Sequence, residues 1–167
     1  KNDPNVPQIL DPVFVPDLLY DSNKRLWVAT SNGLNLYNPD TDGFFKYWHD
    51  PKSNSISHND IVSMVEDQNG DIWFGTGGGG LNRFETATSR FHHYRNDAHN
   101  ENSLSGDNIV SLMCDKSGVL WIGTLRDGVN SLDIATGKFT RYQSQTQQVN
   151  NFPPIGKDAS LFYEDSK

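Results

Sequence analysis

The 167-residue sequence is short of several things, and each shortage closes off a class of protein. It holds one cysteine, Cys114, so no internal disulfide can form and the redox compartment stays open. No run of about 18 apolar residues occurs, so no stretch reads as a membrane-spanning helix. No signal peptide is visible, as would also hold for a trimmed chain. Basic residues are outnumbered, 14 against 21 acidic, giving a net charge of −7 and a pI near 5.0. That balance argues against a nucleic-acid surface or an anionic membrane as partner. A sustained helical period of 3.6 is missing as well. Gly, Asn and Asp instead punctuate short apolar-aromatic runs, which is an all-β pattern.

What is present is a repeat. Asp67-Gln68-Asn69-Gly70-Asp71-Ile72-Trp73-Phe74-Gly75-Thr76 is echoed 48 residues later by Asp115-Lys116-Ser117-Gly118-Val119-Leu120-Trp121-Ile122-Gly123-Thr124. A looser copy, Asp21-Ser22-Asn23-Lys24-Arg25-Leu26-Trp27-Val28-Ala29-Thr30, lies 46 residues earlier. A fourth begins at Tyr163-Glu164-Asp165. Such a period marks an array of one supersecondary unit.

Each copy offers four short strands. Strand A is Val15 to Tyr20, Ile61 to Glu66 and Ile109 to Cys114. A tight turn follows, with Asn69-Gly70 and Ser117-Gly118 supplying residues that tolerate positive φ. Lys24 stands where Gly is expected, so the first turn should differ. Strand B is Leu26 to Thr30, Ile72 to Thr76 and Leu120 to Thr124, apolar on both faces as a sheet between two sheets requires. Gly75 and Gly123, with Ala29 in the first copy, leave room for close backbone approach beside a Trp. Strand C opens with Gly33-Leu34-Asn35, Gly80-Leu81-Asn82 and Gly128-Val129-Asn130. Strand D carries Phe44 and Tyr47, Phe91 and Tyr94, Phe139 and Tyr142. The connectors to the next strand A contain Asn54-Ser55-Ile56-Ser57 and Asn102-Ser103-Leu104-Ser105.

Four antiparallel strands at a spacing near 47 residues describe a β-propeller blade. The expectation is an all-β propeller fragment of about three four-stranded blades plus the first strand of another. A connector from a preceding blade spans 1–14, the blades span 15–60, 61–108 and 109–157, and a further strand A falls in 158–167. Four blades need about 190 residues. The chain therefore reads as part of a longer propeller, with completion by another chain as the alternative.

The pattern Asp-x-x-Gly-x-hydrophobic-Trp-hydrophobic-Gly-Thr, then Gly-Leu-Asn, then Thr-Gly-x-Phe-x-x-Tyr resembles the two-component regulator propeller repeat. Its fullest forms are Asp115 to Thr124, Gly128 to Asn130 and Thr136 to Tyr142. Lys24, Ala29, Val129 and Ser89 depart from it. The resemblance implies the periplasmic sensor region of a hybrid two-component regulator of the Bacteroidetes type. There, two seven-bladed propellers and a β-sandwich precede a transmembrane helix, a histidine kinase and a DNA-binding regulator. It also implies a homodimeric receptor and an oligosaccharide ligand.

If strand A runs from top to bottom, the B–C loops and the D–A connectors share the top face. Loops on a rigid scaffold are where binding residues gather. A sugar site needs planar polar groups and an exposed aromatic platform. The candidates are Asn32, Trp48, Arg126 and Asp127, against the plainer reading of a solvated loop with a self-contained Arg–Asp pair. Trp27, Trp73 and Trp121 read as packing between blades, and Cys114 as a small buried hydrophobe. Gly77 to Gly80 lacks the Lys and helix of a phosphate loop and reads as a flexible B–C loop. His92 and His93 alternate on a strand and cannot ligate one metal on one face. His49, His58 and His99 read as solvent-facing. The recurring Asp21, Asp67 and Asp115 read as Asx turns. No catalytic constellation, metal set or cofactor motif is expected. Three functions compete: a noncatalytic ligand sensor, a propeller lyase or glycan hydrolase, and a general protein-interaction propeller.

Overall fold

A computed structural model describes residues 14–142. Its twelve strands form three four-stranded antiparallel sheets in simple meander order. The first sheet is β1 (Asp17–Tyr20), β2 (Leu26–Thr30), β3 (Gly33–Asn38) and β4 (Gly43–Tyr47). The second is β5 (Ile61–Glu66), β6 (Ile72–Thr76), β7 (Leu81–Glu85) and β8 (Arg90–Tyr94). The third is β9 (Ile109–Cys114), β10 (Val119–Thr124), β11 (Val129–Asp133) and β12 (Lys138–Tyr142). The twelve strands expected within the described residues are all present, with β1 starting two residues late because Pro16 cannot donate to a ladder. The expected connector 1–14, save Phe14, and everything after Tyr142 lie outside the described residues.

The first strands of the three sheets pack side by side, β1 on β5 and β5 on β9. They form the inner edge of three consecutive propeller blades. Both β5 and β9 carry a bulge, at Val62 and Val110, just after their first residue.

Sheet register explains the packing, because paired residues share a face. Trp27, Leu34, Leu36 and Tyr47 line one face of the first blade and meet Met64, Ile72, Phe74, Phe84 and Phe91 of the second. The same geometry recurs one blade on. Trp73, Leu81 and Tyr94 meet Leu112, Leu120, Ile122, Leu132 and Phe139. Trp27 lies edge-on to Phe84 at 5.3 Å between ring centroids. Burying each large apolar side chain here contributes roughly 1.5–3 kcal/mol. The repeated Trp is thus a filler between blades, as its periodicity predicts. Trp121 has no fourth blade over it among the described residues and is half-buried, stacked on Tyr142 at 5.8 Å.

Each A–B turn is closed by its Asp. Asp67 Oδ1 accepts from the N–H groups of Asn69 and Asp71, at 2.8 and 3.1 Å. Its Oδ2 accepts from Trp73 Nε1 at 2.8 Å. Asp21 holds Trp27 and Asp115 holds Trp121 in the same way, at 2.8 and 2.9 Å. The Asx turn was foreseeable. The indole contact was not, and it explains why Asp and Trp stay six residues apart.

Two local expectations are overturned. The first A–B turn does not differ: Lys24 takes φ of 61°, beside 79° at Gly70 and 85° at Gly118. Its N–H reaches Asp21 O at 2.9 Å, as Gly70 N–H reaches Asp67 O at 3.0 Å. The closing bond holds an ordinary residue in the left-handed region. Ser89 likewise takes φ of 57° where Gly137 takes 70°. Second, Gly75 is approached by a side chain rather than by backbone: a Cβ there would lie 2.6 Å from Ile109 Cβ of the next blade. Cys114 is half-buried at the end of β9, packed on the rim of the core rather than inside it.

Candidate functional site

The B–C loops and the D–A connectors do share one face, and backbone hydrogen bonds stitch them together. The N–H of Ser31, Gly77 and Leu125 donates to the carbonyl of Phe14, Asp60 and Asn108, just ahead of strand A in the same blade. The N–H of Gly33 and Gly80 donates to Asn59 and Asp107 in the connector leading to the next blade, at 2.6 and 2.9 Å. Gly33 and Gly80 adopt φ of 109° and 78° there. A Cβ on Gly33 would also sit 2.6 Å from Tyr47 O, so only Gly fits. The Thr that ends each strand B closes the loop from inside. Thr30, Thr76 and Thr124 Oγ1 donate to the carbonyls of Gly33, Gly80 and Gly128 at 2.7 to 2.9 Å.

The four-glycine loop is not loose. Gly77 N–H bonds Asp60 O, Gly78 N–H bonds Thr76 O, Gly79 N–H bonds Thr76 Oγ1 and Gly80 N–H bonds Asp107 O. Every amide has an acceptor, so the loop is fixed rather than flexible.

Of the four predicted residues, two belong to the first blade, one next to Gly33 in sequence and the other next to it in space. Asn32 is exposed and its N–H donates to Thr30 Oγ1 at 3.1 Å. Trp48 is half-buried beside the next residue, Gly33, where a Cβ would lie 3.2 Å from Trp48 Cδ1. Lys46 Nζ sits over the Trp48 ring, 5.9 Å from its centroid. An aromatic plane and an ammonium thus meet at one corner of the first blade. Arg126 and Asp127 lie apart from it on the third blade, with the Gly77–Gly79 loop of the second blade between. Arg126 is exposed at φ of 87°, in the slot that Gly78 fills at 114°. Asp127 does not pair with Arg126. Its carboxylate carbon lies where a Cβ on Gly106 would come within 2.7 Å of it. The self-contained Arg–Asp pair is therefore absent.

The histidines divide. His93 Nε2 meets Ser55 O at 2.7 Å, while His92 Nε2 lies 3.6 Å from Glu85 Oε2, so the two point apart. His49 Nδ1 meets Ile56 O at 2.8 Å, which makes it a connector brace rather than a plain solvent-facing group. Among the described residues, no three His, Cys, Asp or Glu side chains converge as metal ligands.

Titration is perturbed on the opposite face, in the A–B turns. Burial pushes the Asp21 carboxyl up, but hydrogen bonds from Trp27 and Arg25 outweigh it and hold the group below 3.8. Burial likewise raises Asp115, and donation from Ser117, Trp121 and Val119 brings it below its ordinary value. An open groove lined by Glu66, Gln68, Cys114 and Lys116 runs between those turns. The Asp carboxylates that flank it, Asp67 and Asp115, are already occupied by their turns and indoles.

Sequence and structure comparisons agree on what this arrangement is. The model of the two component regulator propeller matches residues 9–32, 55–78 and 103–126, once per repeat. The extracellular domain of the hybrid two component system BT3049 from B. thetaiotaomicron superposes with a TM-score of 0.78 at 30% identity, over 87% of this chain and 20% of that one. The corresponding domain of BT4673 from the same organism gives 0.59 at 28% identity, over 83% and 17%. Virginiamycin B lyase from Staphylococcus aureus gives 0.57 at 16% identity, over 77% and 41%, a likeness of fold alone. No curated protein matches the chain. The chain spans about a fifth of the length of the B. thetaiotaomicron domains. Three copies of one sequence motif, each folded as a blade and packed on the next, belong to the two-component regulator propeller family, and so does this chain.

Proposed function

We propose that the chain is a noncatalytic ligand-sensing propeller segment in the extracytoplasmic, periplasmic sensor region of a hybrid two-component receptor. The ligand is an oligosaccharide, and a histidine kinase lies elsewhere in the parent chain. The remaining blades of the propeller and a second receptor protomer are its partners. The family and the extracellular domains it resembles support the sensing role and the location. For the ligand class, the carrying observation is the half-buried Trp48 ring, which lies beside Gly33 with Lys46 over it, Gly33 being the residue after the exposed Asn32. Aromatic planes flanked by amide and cationic donors suit the apolar face and the hydroxyls of a sugar ring. Arg126 and Asp127 form a second polar cluster on the same face.

Calorimetric titration of the complete extracytoplasmic region with a panel of glycan oligosaccharides tests the reading. Saturable binding without product formation, weakened tenfold or more by Trp48→Ala, supports it. Cleavage of any glycan overturns the noncatalytic assignment. Absence of binding across the panel overturns the ligand class and favours a protein-interaction propeller. Binding that Trp48→Ala leaves unchanged moves the site to other blades.

A further inference from the structure

We infer that each D–A connector is structurally part of the blade that follows it, so that the cooperative unit of the array runs from connector to strand D, over 49–94 and 96–142. This division is offset from the sheets themselves, and two copies of the arrangement carry it independently.

In the first copy, Asn54 pairs with the outer edge of β8 as a strand would. Its Oδ1 accepts from Phe91 N–H at 2.8 Å and its Nδ2 donates to Phe91 O at 2.9 Å. Ser55 offers its carbonyl to His93. Ile56 is fully buried in the core between the first two blades. Ser57 is held by Asn82 of β7: its N–H donates to Oδ1 at 2.9 Å and its Oγ accepts from Nδ2 at 2.7 Å. All these side-chain bonds go forward, to the second blade.

The second copy repeats the scheme. Asn102 Oδ1 accepts from Phe139 N–H at 2.7 Å. Arg141 Nε donates to Ser103 O at 2.9 Å, and Leu104 is fully buried in the second core. Asn130 of β11 holds Ser105 through N–H and hydroxyl, each at 2.9 Å. Each connector is also closed on itself: His49 N–H bonds Asn59 Oδ1 and Asn96 N–H bonds Asp107 Oδ1, both at 2.7 Å. Backward, toward the blade it leaves, the first connector is held by the backbone bond from Gly33, and the second by that from Gly80 and a bridge between Asn108 and Gly77; neither has a side-chain hydrogen bond in that direction among the described residues.

The connector therefore seals the unpaired edge of strand D, which would otherwise be a template for foreign strands. It does so for the blade ahead. A load placed on the connector is delivered to that blade.

Hydrogen exchange read by mass spectrometry on the full chain tests the inference. Asn102→Ala should speed exchange about tenfold across 97–105 and at the edge of β12, while β5 to β8 keep their protection. Asn54→Ala should do the same across 50–57 and β8, leaving β4 unchanged. Ser105→Ala removes a single hydroxyl and gives a milder version in a chain that folds. The inference is overturned if Asn102→Ala or Ser105→Ala loosens β8 along with the connector. Unchanged exchange in all three variants overturns it equally.

Discussion

Ile109 of β9 lies directly over Gly75 of β6, on the neighbouring blade, with no space for a methyl group between them. The blade interface is closest here, and the Gly of the Trp-x-Gly-Thr motif is what lets it close. Gly75→Ala should cost about 1–3 kcal/mol through overpacking. Ile109→Ala removes Cγ2, the atom a methyl on residue 75 would meet first, so the double variant should lose less than the two single losses combined. Urea midpoints of the two single variants and the double measure it. Simple addition of the two losses would show that the residues do not share one space.

Lys24 sits exposed at φ of 61° in a turn whose other copies use Gly. Left-handed backbone costs an ordinary residue about 1–2 kcal/mol, and Gly loses part of that advantage through its freer unfolded chain. Lys24→Gly should therefore raise stability by about 0.5–1 kcal/mol, seen as a higher urea midpoint with unchanged slope. A lower midpoint would mean that the lysine side chain contributes something the turn geometry does not show.

Acid should weaken the fold through the A–B turns. Asp21 and Asp115 have folded-state pKa values below their ordinary value of 3.8. A depressed carboxylate stabilises above its unfolded pKa, and that stability is lost as pH falls through the folded value. The urea midpoint should thus drop as pH is lowered from 5 to about 3. Asp115→Asn retains an acceptor for Trp121 but cannot titrate, so its profile over that window should be flatter. An equally steep profile would assign the acid limb to other carboxylates.

Asn82 is fully buried and uses both ends of its amide on Ser57. Asn82→Ala leaves the Ser57 N–H and hydroxyl without partners and should cost about 2–3 kcal/mol. Asn82→Asp should cost more, because it buries a charge where the amide is neutral. Reversal of that order in thermal or urea unfolding would show that water reaches the site.

Much of this was legible because some residues do one job in every copy. Asp and Trp six apart, and the Thr that ends strand B with the Gly that opens strand C, recur because each pair makes the same bond three times. The brace on the connector carbonyls was not legible, since different chemistry meets one need. His93 and Arg141 occupy matching strand positions and both reach a Ser carbonyl, at Ser55 and Ser103. His49 and Asn96 likewise reach the carbonyls of Ile56 and Leu104. A pattern of residue types cannot reveal that equivalence. Lys24 misled because a closing hydrogen bond outweighed its preference against positive φ. The place of Trp48 was hidden for another reason: it packs beside Gly33, whose missing side chain leaves it room.

The placement of the tryptophans gives the array a direction. At both interfaces among the described residues, the earlier blade presents its Trp and the later blade its strand-D Phe. The two ends of any run of such blades are consequently unlike, as a plug differs from a socket. The contact between blades is thus heterologous, and repeating it extends the array head-to-tail. A substitution on the Trp side is felt by one neighbour and a substitution on the Phe side by the other, so a disturbance starting at one face has a defined sense of travel around the ring.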